Sequence, residues 1–343
     1  MSRAISVGKN AIRNCYPNPM VGCVIVCDNQ IISEGHTSPF GGPHAEVNAI
    51  NKLQDKSILS QCTLYVTLEP CAHFGNTPPC TNLIVRYQIP SVVIGILDPN
   101  PKVNGKGKAI LEQAGIQVFS GVLNKECQWH HRRFLSLQTK KRPYIILKWA
   151  QSADAFIAPP IKNRKPYWIS SPSSKQLTHR WRTQEHAVLI GANTLIDDQP
   201  SLDARLWKGS APIPLYLDRD ASIAPLAPMF AIHPRIICFI DLGTHIGKPI
   251  NNVFYIKVDF NNSLSLQIAA ALFKEGISSL IVEGGAKTLK LFIQEGLWDE
   301  ARIFTSNTLL LEGVKAPEIS GDIVKKSMIE HDVLEILTPK SLA

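Results

Sequence analysis

Short apolar blocks alternate along the chain with stretches whose apolar residues recur at helical spacing. In the first part the blocks VGCVIV, TLYVTL, SVVIGIL and IQVFSGVL are rich in β-branched residues and too short for ordinary helices, so they predict strands. Between them, the stretch from Ala45 to Leu53, the segment TNLIVRYQ after Cys80 and a run ending at Ala114 carry the helical pattern. Asp28 and Asn29 separate VGCVIV from IISEG, which predicts a hairpin, because these residues tolerate the left-handed turn conformation. Strands and helices alternating in this order predict an α/β layered unit. The polar, His- and Arg-rich segment from Lys125 to Arg142 is helical in pattern and stops before Pro143, so the first domain is expected to cover 1–140.

A second domain, expected over 141–343, opens on PYIILKWAQSADAFIA and continues through HAVLIGANTLI, PIPLYLD, RIICFID and FYIKVD. A helix from Leu264 to Glu275, the block SLIVEGG, a further helix and ARIFTS follow. Alternation again predicts an α/β fold. The Pro-containing stretches from Pro159 to Pro166 and from Ala224 to Pro234 read as loops. No short-period repeat is present, and the halves carry different motifs, so they are expected to do different jobs.

With 343 residues, 45% of them hydrophobic, the chain can bury a large core without cross-links. Its eight cysteines therefore point to metal binding or burial rather than disulfides. The surplus of 36 Lys and Arg over 28 Asp and Glu favours anionic partners, phosphorylated small molecules or nucleic acid, although an ordinary solvated surface also accounts for it. No apolar run approaches the roughly 18 residues of a membrane span, and the N-terminus lacks a secretory apolar segment. A cytoplasmic protein without membrane contact is expected.

Chemistry concentrates first at His44-Ala45-Glu46, followed 25 residues after Glu46 by Cys71 and then by Cys80. Each piece alone has an ordinary reading, a polar surface histidine or small buried thiols. Together, one His and two Cys suit a tetrahedral zinc with the fourth position open, which is a catalytic stoichiometry. Helical sequence follows both His44 and Cys80, and a helix start favours thiolates. Glu46, two residues beyond His44, can face the same pocket without coordinating and move protons. Zinc deaminases carry H-x-E followed by P-C-x-x-C, whereas eight residues, AHFGNTPP, separate the two cysteines here.

That longer loop, with PNPMVGCVIV, GGPHAEVNAI, LYVTLEPCAHFGNTPPC and GILDPNP, resembles the deaminase half of the bifunctional riboflavin-biosynthesis deaminase-reductase family over nearly all of residues 1 to about 138. The resemblance implies a cytidine-deaminase-like three-layer α/β domain and one zinc ion on His44, Cys71 and Cys80. It makes Glu46 the proton shuttle and sets Asn18, His36 and His73 around the pyrimidine. The implied reaction is hydrolytic removal of an exocyclic amino group from a diaminopyrimidinone ribosylamino 5′-phosphate. Read without the family, Asn18 is a turn residue between prolines. Where the family usually has a basic residue this chain has Asn76, and Lys102 is a nearby candidate for the phosphate.

In the second half, Gly284 and Gly285 lie between the strand SLIV and a helical stretch, so they bring backbone amides to a helix start, where a phosphate can bind; glycines shaping a tight turn give the same pattern. Gly191 to Thr194 is a similar, weaker case. PYIILKWAQSADAFIA, YWISSP, HRWRTQEHAVLIGANTLIDDQPSLDAR, PIPLYLD and LIVEGGAKTLKLFIQEGLWDEARI resemble the reductase half of the same family. The resemblance implies a dihydrofolate-reductase-like α/β domain in which NADPH reduces the ribosyl group to ribityl. It sets NADPH against Ala150, Trp168, Thr194, Asp198 and Gly285, and the substrate against Arg182, Leu202, Arg205 and Glu283. Arginines at such positions can hold phosphate through paired hydrogen bonds, or form surface ion pairs. Arg219 is a candidate for the cofactor's 2′-phosphate. The chain departs from the family at Ala155, where a glycine is usual, at Gln199, which breaks a DDP motif, and in KNRKPY before Trp168.

The partner expected is thus a phosphorylated pyrimidine, with no nucleic acid and no membrane, and self-association as a homo-oligomer left open. One rival is a zinc deaminase of RNA or nucleosides with a non-catalytic second domain. Another is a non-catalytic nucleic-acid-binding protein with a structural zinc, in which His73 would be the fourth ligand.

Overall fold

The computed structural model describes residues 1–74, 78–100, 104–160 and 167–340. Asn76, Lys102 and most of the KNRKPY stretch lie outside them. The chain divides into two compact units, Met1–Lys141 and Arg142–Ala343. All eight cysteines are free thiols.

In the first unit, α1 (Ser2–Gly8) precedes a hairpin of β1 (Gly22–Cys27) and β2 (Gln30–His36). Asp28 and Asn29 form its two-residue turn with φ +47° and +61°, the conformation expected of these residues. Then come α2 (Ala45–Asn51), β3 (Thr63–Leu68), α3 (Cys80–Arg86), β4 (Ser91–Ile96), α4 (Lys106–Gln113), β5 (Gln117–Ser120) and α5 (Asn124–Leu135). A wider turn, Ser136–Lys140, extends the last helix towards Pro143. The sheet runs β2-β1-β3-β4-β5, antiparallel at β2-β1-β3 and parallel from β3 to β5. Cys23 and Ile25 of β1, Leu64 and Val66 of β3 and Ile94 of β4 bury one face with Ala49 and Ile50 of α2, Ile84 of α3 and Leu111 of α4. Val24 turns the other way and packs on Ala4 and Val7 of α1, as period-two alternation requires. With α5 packing against α1, the unit has three layers.

The second unit is built on one nine-stranded sheet. In chain order its elements are β6 (Tyr144–Gln151), β7 (Phe156–Ala158), α6 (Pro172–Gln184), β8 (Ala187–Ile190), α7 (Ala192–Asp198), β9 (Ile213–Leu217), α8 (Met229–Ile232), β10 (Ile236–Asp241) and β11 (Val253–Val258). They continue through α9 (Leu264–Lys274), β12 (Ser279–Val282), α10 (Ala286–Gln294), β13 (Glu300–Thr305), β14 (Val314–Lys315), β15 (Asp322–Ile329) and β16 (Asp332–Thr338). The sheet order is β11-β10-β9-β8-β12-β6-β13-β16-β15, parallel up to β13 and antiparallel across β16 and β15. Ile145 and Leu147 face α9 and α10, whereas Tyr144 and Ile146 face Trp181 of α6. The loop expected from Ala224 to Pro234 contains the short α8, and the β15-β16 hairpin adds two strands that no apolar block announced.

The start of α6 is fixed by sequence and by tertiary contact together. Ser171 caps it by accepting from the Ser174 N–H, and Pro172 takes the first turn, where its missing N–H costs nothing. From the C-terminal hairpin, Asp332 Oδ2 accepts from Ser171 N–H at 2.7 Å and from Ser174 Oγ at 2.6 Å. This anchors the helix that carries His179 and Arg182.

Candidate functional site

Three places in the first unit supply the metal-ligand candidates. His44 is the residue preceding α2, and Glu46 lies in that helix's first turn. Cys71 follows β3 after Glu69 and Pro70, and Cys80 opens α3. His44 Nδ1 lies 3.5 Å from Cys71 Sγ and 3.3 Å from Cys80 Sγ, and the three donor atoms fall within 4.8 Å of one another. A tetrahedral zinc, about 2.0 Å from nitrogen and about 2.3 Å from sulfur, needs such donors about 3.5 Å apart. The set fits the ion in chemistry and in spacing.

The electrostatics favour the same use. The hydrogen bond from the Cys80 thiol, acting against burial and aided by His44 and the Cys80 N–H, brings Cys71 down to about 4. That N–H, at the start of α3, lies 3.3 Å from Cys71 Sγ. Cys80 is pushed well above its ordinary value by the proton it shares with Cys71 and by burial. Glu46 is 3% exposed, and burial first, then the Cys71 thiolate, raises its carboxyl to about 7. A carboxyl so held can exchange protons near neutral pH.

Among the described residues, no hydrogen bond or ion pair ties Asn18, His36 or His73 to this group. Asn18 is fixed in a turn, its N–H donating to Cys15 O at 2.8 Å and its carbonyl accepting from Cys15 Sγ at 3.2 Å. His36 ends β2, and its carbonyl accepts from Asn48 Nδ2 of α2 at 2.8 Å, which holds it near the helix that His44 starts. His73 is exposed and is not one of the clustered donors.

In the second unit, charged groups gather on the α6 side of the sheet, at the middle of β6 and the C-terminal end of β12. Leu147 pairs with Val282, so Lys148 and Glu283 are the next residues along the two strands. Arg182 Nε and Nη2 donate to the two Glu283 oxygens at 2.9 and 2.7 Å, and Nη1 donates to Asp203 O at 3.0 Å. Burial would raise the Glu283 carboxyl, but Arg182 and then Lys148 bring it down to about 2. Burial lowers Lys148. Arg205 pairs with Asp203 at 2.5 Å, and His179 Nδ1 lies 3.9 Å from the same carboxylate. Lys175 Nζ sits 3.6 Å from the ring centroid of Trp168, and the Arg205 and Arg182 charges act on it. Both arginines expected to meet phosphate are thus paired with acidic residues.

The cofactor candidates stand beside this cluster along the chain. Gly285 caps α10 at φ +66°, and a Cβ there would sit 3.2 Å from Thr194 Oγ1. A Cβ at Gly191 would sit 2.4 Å from Thr288 Oγ1 of α10, and one at Gly284 would sit 3.1 Å from the Ile190 Cα at the end of the neighbouring strand β8, so the segments after β8 and β12 lie close together. The bare backbone at the start of α10 fits a phosphate-bearing cofactor. Ala150 lies on β6 in register with Phe304, Trp168 is 56% exposed, and Asp198 ends α7. The Leu202 side chain belongs to the core with Leu195, Tyr216 and Met229, which leaves only its backbone, at φ +49°, for a ligand. Arg219 Nη2 donates to Asn261 Oδ1 at 2.7 Å. Ala155, where the family has glycine, takes φ +64°, and Gln199 takes φ +41° after α7. Around Ala155 the turn is tightly bonded, with Ser152 Oγ donating to Asp154 Oδ1 at 2.6 Å and the Asp154 carboxylate accepting from Leu310 and Leu311 N–H at 3.1 and 2.7 Å.

Residues 1–96 match the cytidine and deoxycytidylate deaminase zinc-binding region, and residues 143–322 match the RibD C-terminal domain. The chain is 35% identical to the riboflavin biosynthesis protein RibD of Aquifex aeolicus over 330 residues, 96% of this chain and 92% of that protein. The chain belongs to the RibD family. It is 32% identical to RibD of Escherichia coli over 326 residues, covering 90% of this chain and 87% of that protein. The crystal structure of a diaminohydroxyphosphoribosylaminopyrimidine deaminase/5-amino-6-(5-phosphoribosylamino)uracil reductase from Thermotoga maritima has a TM-score of 0.89 at 34% identity, over 99% of this chain and 97% of that one. RibD of Acinetobacter baumannii gives 0.87 at 29% identity, over 99% and 98%.

As a RibD-family member the chain is a bifunctional riboflavin biosynthesis enzyme, a zinc-binding deaminase domain followed by a reductase domain. Likeness to RibD along nearly the whole chain does not favour the RNA-deaminase or structural-zinc readings. No helix among the described residues is long and apolar enough to cross a membrane. Sequence reasoning passed over Lys148, Lys175 and His179. Lys148 could have been found as a lysine continuing the inward phase of Tyr144 and Ile146, and the other two by their spacing from Arg182 along one helix face.

Proposed function

We propose that the first unit removes the exocyclic amino group of a 2,5-diamino-6-ribosylamino-4(3H)-pyrimidinone 5′-phosphate and that the second reduces the ribosyl side chain of the product with NADPH. The observation that carries the first half is the clustering of His44, Cys71 and Cys80 with buried Glu46 beside them. His44 Nδ1 and the two sulfurs would hold zinc. Zinc bound there would act as a Lewis acid that makes water nucleophilic near neutral pH. Glu46 takes the proton from the attacking water and returns it to the departing nitrogen, so a C–O bond replaces the C–N bond and ammonia leaves. Asn18, His36 and His73 line the pyrimidine, where amide and imidazole groups can read ring nitrogens and oxygens.

In the second unit, Ala150, Trp168, Thr194, Asp198 and Gly285 hold the cofactor, and Arg182, Leu202, Arg205 and Glu283 hold the substrate. NADPH bound there would supply a hydride to the ribosyl carbon bonded to nitrogen, whose ring C–O bond opens while the oxygen takes a proton. A charge argument supports a phosphate in this site. Among the described residues, Lys148, Lys175, Arg182 and Arg205 stand with two carboxylates, Asp203 and Glu283, an excess of positive charge that a phosphate monoester of about −2 offsets.

The test is a two-part assay on zinc-loaded protein, following ammonia release from the ribosylamino phosphate and then NADPH consumption. Ammonia followed by NADPH loss is expected. Ammonia without NADPH loss would sink the reductase half, and no ammonia would sink the deaminase half.

A further inference from the structure

We infer that Glu69 is a positioning residue for the metal site: its carboxylate clamps the loop carrying Cys71 to the start of α4 and so sets the affinity of the His44, Cys71 and Cys80 group for zinc. This rests on the zinc reading above. Glu69 is 4% exposed and lies between β3 and Cys71. Its Oε2 accepts from the N–H groups of Asp98 at 3.2 Å and Gly105 at 3.0 Å, and its Oε1 accepts from the Lys108 N–H at 3.0 Å. Asp98 lies just beyond β4, and Gly105 and Lys108 belong to the cap and first turn of α4. One buried carboxylate therefore joins three segments through charge-assisted bonds, which are about twice as strong as neutral ones. With both oxygens occupied by main-chain donors, Glu69 serves geometry, and proton transfer falls to Glu46.

A second contact fixes the same loop. A Cβ at Gly107 would sit 2.1 Å from Pro70 O, so the backbone of α4 touches the residue before Cys71 directly. From the other side α3 grips Cys71, whose carbonyl accepts from Thr81 N–H at 3.3 Å and Thr81 Oγ1 at 3.2 Å. His44 and Cys80 are located by the helices they begin, whereas Cys71 sits in a loop and takes its position from these two grips. Ligand distances must hold within about 0.2 Å, and partners outside the ligand set typically change metal affinity ten- to hundredfold.

The experiment uses the full chain with cobalt(II) as probe, measuring affinity by chelator competition and the thiolate-to-cobalt absorption. Glu69→Gln turns an amide NH2 against at least one main-chain donor. It is expected to weaken cobalt binding by about ten- to hundredfold and to alter the absorption, with NADPH oxidation on pre-deaminated substrate unchanged. Gly107→Ala strains the same loop from α4 with Glu69 intact and should shift both readouts in the same direction. Wild-type affinity and absorption in both variants overturn the clamp. So does a Glu69→Gln chain that fails to fold beside a Gly107→Ala chain that binds cobalt like the parent. A parent chain that binds no cobalt overturns the zinc reading itself.

Discussion

The first unit brings His44, Cys71 and Cys80 together with a carboxyl raised by burial and by a neighbouring thiolate, an arrangement that a cation completes. The second unit surrounds Glu283 and Asp203 with Arg182, Arg205, Lys148 and Lys175, and suits an anion. The donors of the first come from a helix start, a loop and another helix start, and their roles follow from residue type. Those of the second come from two strands, a helix and a loop far apart in sequence, and they are partly neutralised by one another. The difference explains why identical reasoning about titratable residues identifies a reaction in one unit and only a ligand charge in the other.

The contrast breaks most directly at Glu46. Glu46→Gln should cut ammonia release by about 10²- to 10⁴-fold while zinc content and NADPH oxidation on deaminated substrate stay at parent values. A parallel loss of reduction would mean the two sites are not independent. In the second unit, Glu283→Ala leaves Arg182 and Lys148 without their carboxylate, a loss of about 3–5 kcal/mol. Urea unfolding followed by tryptophan fluorescence reports it, because Trp149, Trp168, Trp181, Trp207 and Trp298 all lie in that unit. An unchanged midpoint would show that the pair is dispensable for stability.

Acid acts next, through buried histidines in both units, because burial also brings His179 of the second down to about 4. Burial brings His130 down to about 4, and burial with His130 beside it holds His131 well below the ordinary value of 6.5. The unfolded chain takes up these protons first, so the stability they confer is complete above pH 6.5 and falls as pH drops towards 4. For His130 alone that is about 3 kcal/mol, at about 1.4 kcal/mol per pH unit. Calorimetry between pH 7 and 4 should find the first unit's transition falling, and falling less in His131→Gln. The smallest effect belongs to Ala155→Gly, which relieves a left-handed alanine at φ +64° and should stabilise the second unit by about 0.5–1 kcal/mol.

Much of the architecture was legible locally. Apolar blocks announced β1, β3, β4, β6 and β8, Asp28-Asn29 announced its turn, and HAE with two later cysteines announced the donor set. What escaped was α6, whose buried face is broken by His179 and Thr178, and the β15-β16 hairpin, whose outer strand carries exposed Ile323, Val324 and Met328. No residue of β15 is buried, so no alternation of buried and exposed positions marks that strand.

Residue type and order alone singled out a His, two Cys and a Glu as one zinc-site signature, because that donor set leaves the fourth position open and each residue stands at a local helix or turn signal. Only the tertiary structure decided that Arg182 turns the Nε and Nη2 edge of its guanidinium to Glu283 and Nη1 to the Asp203 carbonyl, that the Leu202 side chain is buried in the core, and that Glu69 holds α4 against the Cys71 loop. Each of those joins segments distant along the chain, and partners of a buried charge are chosen by which strands and helices become neighbours, a choice no local pattern records.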